Sequence, residues 1–131
     1  NRNLVVTQGA QELVLKRNRF GHYLAPGEIN GQPVVFLLDT GATQVSVPAH
    51  LGPQLGLRPG AAGSVITANG NVTVHQTRID TLALGPFEVR NVSGHLNPGM
   101  QGAEILLGMS VLRHLEFTQR GDTLTLRIPG A

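Results

Sequence analysis

Glycine and proline residues are the feature that most restricts how this chain can fold. Seventeen Gly and 8 Pro divide the 131 residues into short apolar segments. These segments are rich in Val, Leu, Ile and Thr, and they lack long stretches with the 3.6-residue period of an amphipathic helix. The pattern predicts a mainly β protein whose short strands form a closed or folded-over barrel.

Two short helices are predicted to interrupt the strands. One begins near Pro48, because proline suits a first helical turn, and the other covers residues 110–115 with Ser110 as its N-cap. Asn30-Gly31 and Asn69-Gly70 predict tight hairpin turns, since Asn and Gly tolerate positive φ, and residues 120–122 predict a third turn. The predicted strands are residues 13–16, 23–29, 34–38, 44–47, 65–68, 72–77, 81–84, 87–92 and 124–128.

The composition argues against several classes of function. Ten Lys and Arg against 8 Asp and Glu give a net charge of +2, and the basic residues are scattered, so we expect no nucleic-acid partner. Cysteine is absent, which excludes disulfides and thiolate nucleophiles. The five histidines are too far apart in sequence to suggest a metal site, and no serine lies in a Gly-x-Ser-x-Gly setting. We expect neither a metal nor an organic cofactor.

The length fits one domain covering residues 1–131, and no linker or low-complexity run divides the chain. Residues 1–20 are expected to form either an added hairpin or an interface arm. No apolar run approaches the roughly 20 residues that a membrane-spanning helix needs. Because the chain opens at Asn1 without a signal-peptide pattern, we expect the natural protein to extend further upstream.

Asp39 is the residue most clearly placed for chemistry. It follows the apolar run 34–38 directly, so a buried strand delivers its carboxyl group into the following turn. A carboxyl group in that position needs a hydrogen-bond network or a second carboxyl group that shares its proton. Thr40 offers a hydroxyl for such a network, and Gly41, without a Cβ, permits close approach of another backbone or a substrate. The alternative is an ordinary turn aspartate that accepts a hydrogen bond from its own backbone.

The segment Leu37-Leu38-Asp39-Thr40-Gly41-Ala42-Thr43 resembles the catalytic loop of the aspartic peptidases. Residues 104–108 form a weaker echo of residues 36–41, either by true resemblance or because two buried strands that end in turns look alike. Asp39 is the only aspartate followed by Thr-Gly, so one chain supplies half of the catalytic pair. The resemblance is therefore to the single-lobed retropepsins, which implies a closed β-barrel that works as a homodimer.

This resemblance implies an endopeptidase in which two copies of Asp39 activate one water molecule, one as base and one as acid, with activity highest below neutral pH. Thr40 is expected to brace the two catalytic loops, and Gly41 to contact the substrate backbone. The Asn69-Gly70 hairpin occupies the place of the flap that closes over bound peptide. The residues expected to bind a peptide or protein substrate are Ala42, Thr43, Ala68, Asn69, Gly70 and Asn71.

Within this group the chain is most similar to bacterial single-lobed enzymes, through residues 67–70, 107–110 and 116–122. That similarity implies a membrane anchor outside this chain and a domain facing the periplasm. Compared with the viral enzymes, Thr43 and Met109 replace an aspartate and its arginine partner, so a charged pair is lost together. One rival hypothesis is an inactive retropepsin-shaped dimer that binds peptides or partner proteins. A second rival is a monomeric β-barrel that carries an apolar ligand.

Overall fold

The computed structural model describes residues 4–6, 12–67 and 70–129. Within these ranges the chain forms short and medium-length strands, one helix, α1 (Met109–Leu112), and two 3₁₀ turns, Ala49–Leu51 and Pro53–Leu55. The strands are β1 (Leu4–Val6), β2 (Glu12–Lys16), β3 (Tyr23–Ile29), β4 (Gln32–Leu38), β5 (Val45–Pro48), β6 (Ala62–Thr67), β7 (Gly70–Leu84), β8 (Phe87–Asn97), β9 (Glu104–Leu107), β10 (Glu116–Arg120) and β11 (Thr123–Arg127).

Six of these strands close into a barrel. The larger sheet has the order β1-β8-β5-β9-β4-β3-β7-β6, and a further antiparallel pairing of β7 with β8 closes the ring. Strands β1 and β6 extend from this ring at its two margins. Phe36, Ile79, Leu82 and Ile105 are fully buried inside the barrel, where removal of their apolar surface from water stabilises the fold. The predicted mainly β barrel with one or two short helices is confirmed.

A smaller sheet, in the order β10-β11-β2, packs against the barrel. Leu124 and Leu126 alternate along β11 and join the barrel's hydrophobic core, together with Leu15 of β2. Strand β10 lies at the edge of this sheet, and all five of its residues are exposed. The two strands within residues 1–20 do not form a hairpin with each other, because β1 pairs with β8 and β2 pairs with β11.

Several elements differ from the prediction. Residues 72–77 and 81–84 belong to one strand, β7, because Arg78 and Asp80 between them are exposed while Ile79 points into the core. Strand β10 lacks any alternation of buried and exposed residues, so its sequence gives no strand signal. The helix predicted near Pro48 is instead the pair of 3₁₀ turns.

The predicted N-cap of the second helix is wrong. Gly108, not Ser110, occupies the N-cap position of α1, and no side chain caps this helix. Ser110 lies inside the helix, where its backbone N–H donates to the carbonyl oxygen of Thr43 at 2.7 Å. The helix also ends at Leu112, earlier than the predicted residue 115.

Two predicted turns are confirmed by their backbone angles. Asn30 and Gly31 join β3 to β4 with φ values of 50° and 82°, as a tight two-residue hairpin requires. The Asn30 side chain also donates to the Leu55 carbonyl oxygen and accepts from the Thr81 N–H. Gly121 joins β10 to β11 with a φ of 57°. In the predicted Asn69-Gly70 turn, Gly70 has a φ of 101°, while Asn69 lies outside the described residues.

The chain that follows β4 crosses closely over the end of β9. Strands β4 and β9 are parallel neighbours, so the two apolar segments whose sequences resemble each other lie side by side. A Cβ on Gly108 would lie 2.6 Å from the carbonyl oxygen of Gln44 and 2.7 Å from that of Ala42. Both neighbours are backbone atoms, so a side chain at residue 108 would force the two segments apart.

We predict that Gly108→Ala lowers the free energy of unfolding by about 3 kcal/mol, because the added methyl group overlaps two backbone carbonyl oxygens, and that of Ala42 is held by the Met109 N–H. Urea unfolding followed by circular dichroism measures this change. Gly102→Ala is the matched control, since a Cβ there meets no atom within 4 Å. Equal unfolding midpoints for the two variants would show that the crossing is loose.

Candidate active site

Asp39 lies at the point where the chain leaves β4 and begins to cross the end of β9. Its backbone N–H donates to the carbonyl oxygen of Leu107 at 3.0 Å, which continues the parallel pairing of the two strands by one residue. The carbonyl oxygen of Asp39 accepts from the Ala42 N–H at 3.1 Å and closes a tight turn. The backbone of Asp39 is therefore hydrogen-bonded both to β9 and within the turn, and this fixes the position from which the carboxyl group projects.

The Asp39 carboxyl group is half-buried and makes one local hydrogen bond. Its Oδ1 accepts from the Gly41 N–H at 2.9 Å. An ordinary turn aspartate makes the same bond, so this contact alone does not separate the two interpretations of Asp39. The following residues, Thr40 and Gly41, are exposed, and they form the outermost part of the turn.

Two hydrogen bonds fasten the rest of the turn to α1. The Met109 N–H donates to the Ala42 carbonyl oxygen at 2.9 Å, and the Ser110 N–H donates to the Thr43 carbonyl oxygen at 2.7 Å. These bonds pair the first N–H groups of the helix with carbonyl groups of the Asp39 turn. The sequence segments 37–43 and 107–110, which carry the resemblance, therefore form one structural unit.

A cavity of about 390 Å³ lies beside Asp39 on the side of the smaller sheet. Asp39 and Thr40 form part of its wall, and Tyr23, Phe117 and Gln119 form another part. Phe117 of edge strand β10 is 40% exposed here, which is unusual for a large aromatic side chain. An exposed polar turn and an exposed aromatic ring thus share one face of the molecule.

A second and larger opening lies on the other side of the Asp39 turn. This groove has a volume of about 680 Å³ and runs between the turn and strand β6. Ala42 and Thr43, which the sequence predicts to bind substrate, line this groove, and residues 63–67 of β6 form its opposite wall. Strand β6 and the start of β7 form an antiparallel hairpin, which we call the β6–β7 hairpin.

The flap residues predicted from the sequence are only partly placed. Ala68 and Asn69 lie outside the described residues. Gly70 and Asn71 are exposed at the start of β7, and they are not among the described residues that line the groove. The adjacent strand β6 lines the groove through residues such as Val65 and Thr67.

The floor of the groove contains a buried hydrogen-bonded group that sequence reasoning missed. Ser46 Oγ lies 2.7 Å from Nε2 of His95, and Nδ1 of the same ring lies 3.0 Å from Oε1 of Gln44. Ser46 and His95 are 8% and 7% exposed. Burial lowers the pKa of His95 below its usual 6.5, because desolvation disfavours the charged ring. The only sequence signal was the polar Ser46 between Val45 and Val47 in an apolar strand.

The described residues give no sign of a metal centre, since no three His, Asp or Glu side chains among them come close enough to share an ion. Likewise, no helix within the described part of the chain has the length and apolar character to cross a membrane.

Comparison with known sequences gives a family for the chain. The family model described as "gag-polyprotein putative aspartyl protease" matches residues 25–114. An uncharacterised protein in the cobV 5′ region of a Sinorhizobium species is 31% identical over 125 residues, covering 92% of this chain and 54% of that protein. The uncharacterised protein RP867 of Rickettsia prowazekii is 27% identical over 109 residues, covering 80% of this chain and 46% of that protein. The chain thus spans about half the length of these curated relatives.

Solved structures agree with this assignment. The crystal structure of a retropepsin-like aspartic protease from Rickettsia conorii superposes with a TM-score of 0.75 at 27% identity, covering 89% of this chain and 91% of that one. The EIAV protease in complex with the inhibitor HBY-793 superposes with a TM-score of 0.59 at 20% identity, covering 73% and 89%, and it supports the fold alone. This chain belongs to the gag-polyprotein aspartyl protease family and has the retropepsin-like fold.

Proposed function

We propose that this protein is an aspartic endopeptidase that cuts internal peptide bonds with a water molecule held between two copies of Asp39. The observation that carries the proposal is the position of Asp39 in a turn fixed by Leu107, Ala42 and the start of α1. This rigid mounting belongs to a chain of the aspartyl protease family, and the Asp-Thr-Gly sequence is intact in it. Catalysis depends on such preorganised groups, because they are not free to move away from the reacting atoms.

The second carboxyl group is proposed to come from a second copy of the chain. Asp39 Oδ2 accepts no hydrogen bond from the described residues of its own chain, so it is available to a water molecule or to a facing acid. A twofold axis that passes beside the exposed Thr40 and Gly41 brings each Asp39 opposite its copy. The exposed Phe117 and the cavity beside Asp39 give this face an apolar surface that a second copy covers.

The chemistry then requires the two carboxyl groups to differ in protonation. Two adjacent carboxylates repel each other, so the facing pair is proposed to share one proton in the active state. The ionised group takes a proton from the bound water as that water attacks the peptide carbonyl carbon. The protonated partner gives its proton to the carbonyl oxygen, so that a gem-diol forms. The first carboxyl group then passes the proton taken from water to the amine nitrogen as the C–N bond breaks, and its partner recovers a proton from one diol hydroxyl as the new carboxyl group forms.

The remaining predicted residues take supporting roles in this proposal. Thr40 lies at the exposed corner of the turn, where its hydroxyl can reach the facing loop of the second subunit and brace the pair. Gly41 leaves room for the substrate backbone, and Ala42 and Thr43 line the groove through which the peptide runs. The β6–β7 hairpin acts as a flap that closes over the bound peptide, and Ala68, Asn69, Gly70 and Asn71 are the residues proposed to contact that peptide.

We predict that Asp39→Asn abolishes cleavage of an unstructured peptide library while leaving the fold intact, because the amide cannot act as a base. Loss of activity by at least about 10³-fold is expected from the removal of a catalytic carboxylate. Mass spectrometry of the products measures it. The matched control is Asp80→Asn, because Asp80 is an exposed aspartate that also precedes a threonine but is not followed by glycine.

Equal cleavage by the wild type and Asp39→Asn would remove the catalytic assignment. A second outcome is that the wild type binds peptides without cleaving them at any pH from about 3.5 to 8, the range in which carboxyl and imidazole groups titrate. That result would favour the inactive peptide-binding dimer.

We also predict that Phe117→Lys weakens self-association and lowers activity at low protein concentration, because it places a charge on the proposed subunit interface. Analytical ultracentrifugation gives the dissociation constant, which we expect to rise by at least about tenfold. Val14→Lys is the control: Val14 is 57% exposed in the same sheet but lies on the opposite face from Phe117. If both substitutions leave the association unchanged, the dimer does not use this face.

A further inference from the structure

The groove floor is built from one register of side chains across four neighbouring strands. Ser46 of β5 is opposite Leu106 of β9 and His95 of β8, and His95 is in turn opposite Gln76 of β7. All four residues line the groove. The neighbouring Val45 and Val47 point to the other side of the sheet and are fully buried in the core. The floor therefore presents three polar side chains beside Leu106, and an apolar core lies behind it.

The hydrogen-bond geometry fixes which groups donate within this floor. Gln44 Oε1 can only accept, so the proton of the neutral His95 ring is on Nδ1, which faces that oxygen at 3.0 Å. His95 Nε2 is then an acceptor, and the Ser46 hydroxyl donates to it at 2.7 Å. With its hydrogen committed to the ring, Ser46 Oγ offers only lone pairs to anything that enters the groove.

Amide groups complete the set of polar contacts. Gln44 keeps its two amide hydrogens, since its bond to His95 uses the oxygen. Gln76, next to His95 in the register, is exposed and offers both a donor and an acceptor. The floor thus presents a hydroxyl acceptor flanked by carboxamide groups, within reach of a ligand that lies along Ala42 and Thr43.

The groove lacks charge where a ligand side chain would sit. Among its described lining residues there is no Lys, Arg, Asp or Glu, and His95 is the one histidine. Burial keeps the His95 ring neutral at pH 7. A charged ligand side chain would lose hydration here without meeting an opposite charge, whereas an apolar one would cover the Ser46 oxygen and the amides without replacing their water.

We propose that the Ser46–His95–Gln44 floor is a specificity subsite that selects peptides carrying an uncharged hydroxyl or carboxamide side chain near the cleaved bond. The inference rests on the proposed function in that a peptide must occupy the groove. It goes beyond that function because it assigns a substrate preference to residues outside the Asp-Thr-Gly turn. Ser46 and His95 act as binding residues, and the reacting atoms remain at Asp39.

Peptide pairs that differ only by Thr and Val test the preference, because these side chains have nearly the same shape and differ by one hydroxyl group. Each position on either side of a cleaved bond is varied in turn, and kcat/KM is measured for the wild type. At one of these positions we expect Thr to exceed Val by about three- to tenfold, the effect of one hydrogen bond that the apolar side chain cannot make. An Asn and Leu pair provides the same comparison for a carboxamide.

Ser46→Val replaces the Ser46 hydroxyl group by a larger, apolar side chain, and we expect it to abolish or invert the preference of Thr over Val. Ser46→Ala is a second variant that cannot overpack the groove, and it is expected to reduce the ratio towards one. Ser93→Val is the control, because Ser93 is exposed on the same strand as His95 and lies outside the lining of the groove. Thermal unfolding confirms that each variant is folded.

Binding to Asp39→Asn separates this inference from the catalytic proposal. Fluorescence anisotropy of labelled Thr and Val peptides at pH 7 measures how tightly each peptide binds to this variant, which does not cleave them. Tighter binding of the Thr peptide, lost in Ser46→Val, supports the subsite even if no peptide is cut. Cleavage with equal rates for Thr and Val at every position, equal binding of the two peptides, or no binding of either would overturn it.

Discussion

The close crossing of two chain segments over Gly108 is the constraint on which the rest of the site depends. Carbonyl groups of Ala42 and Gln44 approach the Cα of residue 108 so closely that no side chain fits there. The crossing lets the backbone N–H groups of Met109 and Ser110 reach the Asp39 turn, and it completes the pairing of β4 with β9. A carboxyl group at the end of a strand thereby acquires a fixed position at the molecular surface without being deeply buried.

The sequence predicts those parts of the fold that leave a local signal. The positive φ at Asn30 and Gly31 and the run of apolar residues before Asp39 are such signals, and both are found in the structure. Strand β10 is missed because its five residues are all exposed and do not alternate between buried and exposed positions. The helix N-cap is misplaced because glycine is required at residue 108 by the close approach of the Ala42 and Gln44 backbone, which is distant in sequence. Non-local packing of this kind cannot be read from a short stretch of residues.

The candidate site likewise has one part with a local sequence signal and one part that depends on non-local packing. The turn that carries Asp39 is predictable because its residues are consecutive and resemble a known loop. The groove floor is not predictable in this way. Gln44 and Ser46 meet His95 only because β5 and β8 pair in parallel, and Ser46 and His95 are 49 positions apart in the sequence. A buried histidine with no nearby charge looks in the sequence like any other core or surface residue, and only the register gives it a role.

Family membership and the geometry around Asp39 lead to one central claim, that each active centre needs an Asp39 carboxyl group from two subunits. Subunit mixing tests it most directly: Asp39→Asn protein is added in increasing amounts to a fixed amount of wild type under conditions where both are dimeric, and cleavage is followed after exchange. The account predicts that activity falls to about half at equal amounts, because half of the wild-type subunits then face an asparagine. Activity that stays constant as the variant is added would show that a single subunit is sufficient and would contradict the account.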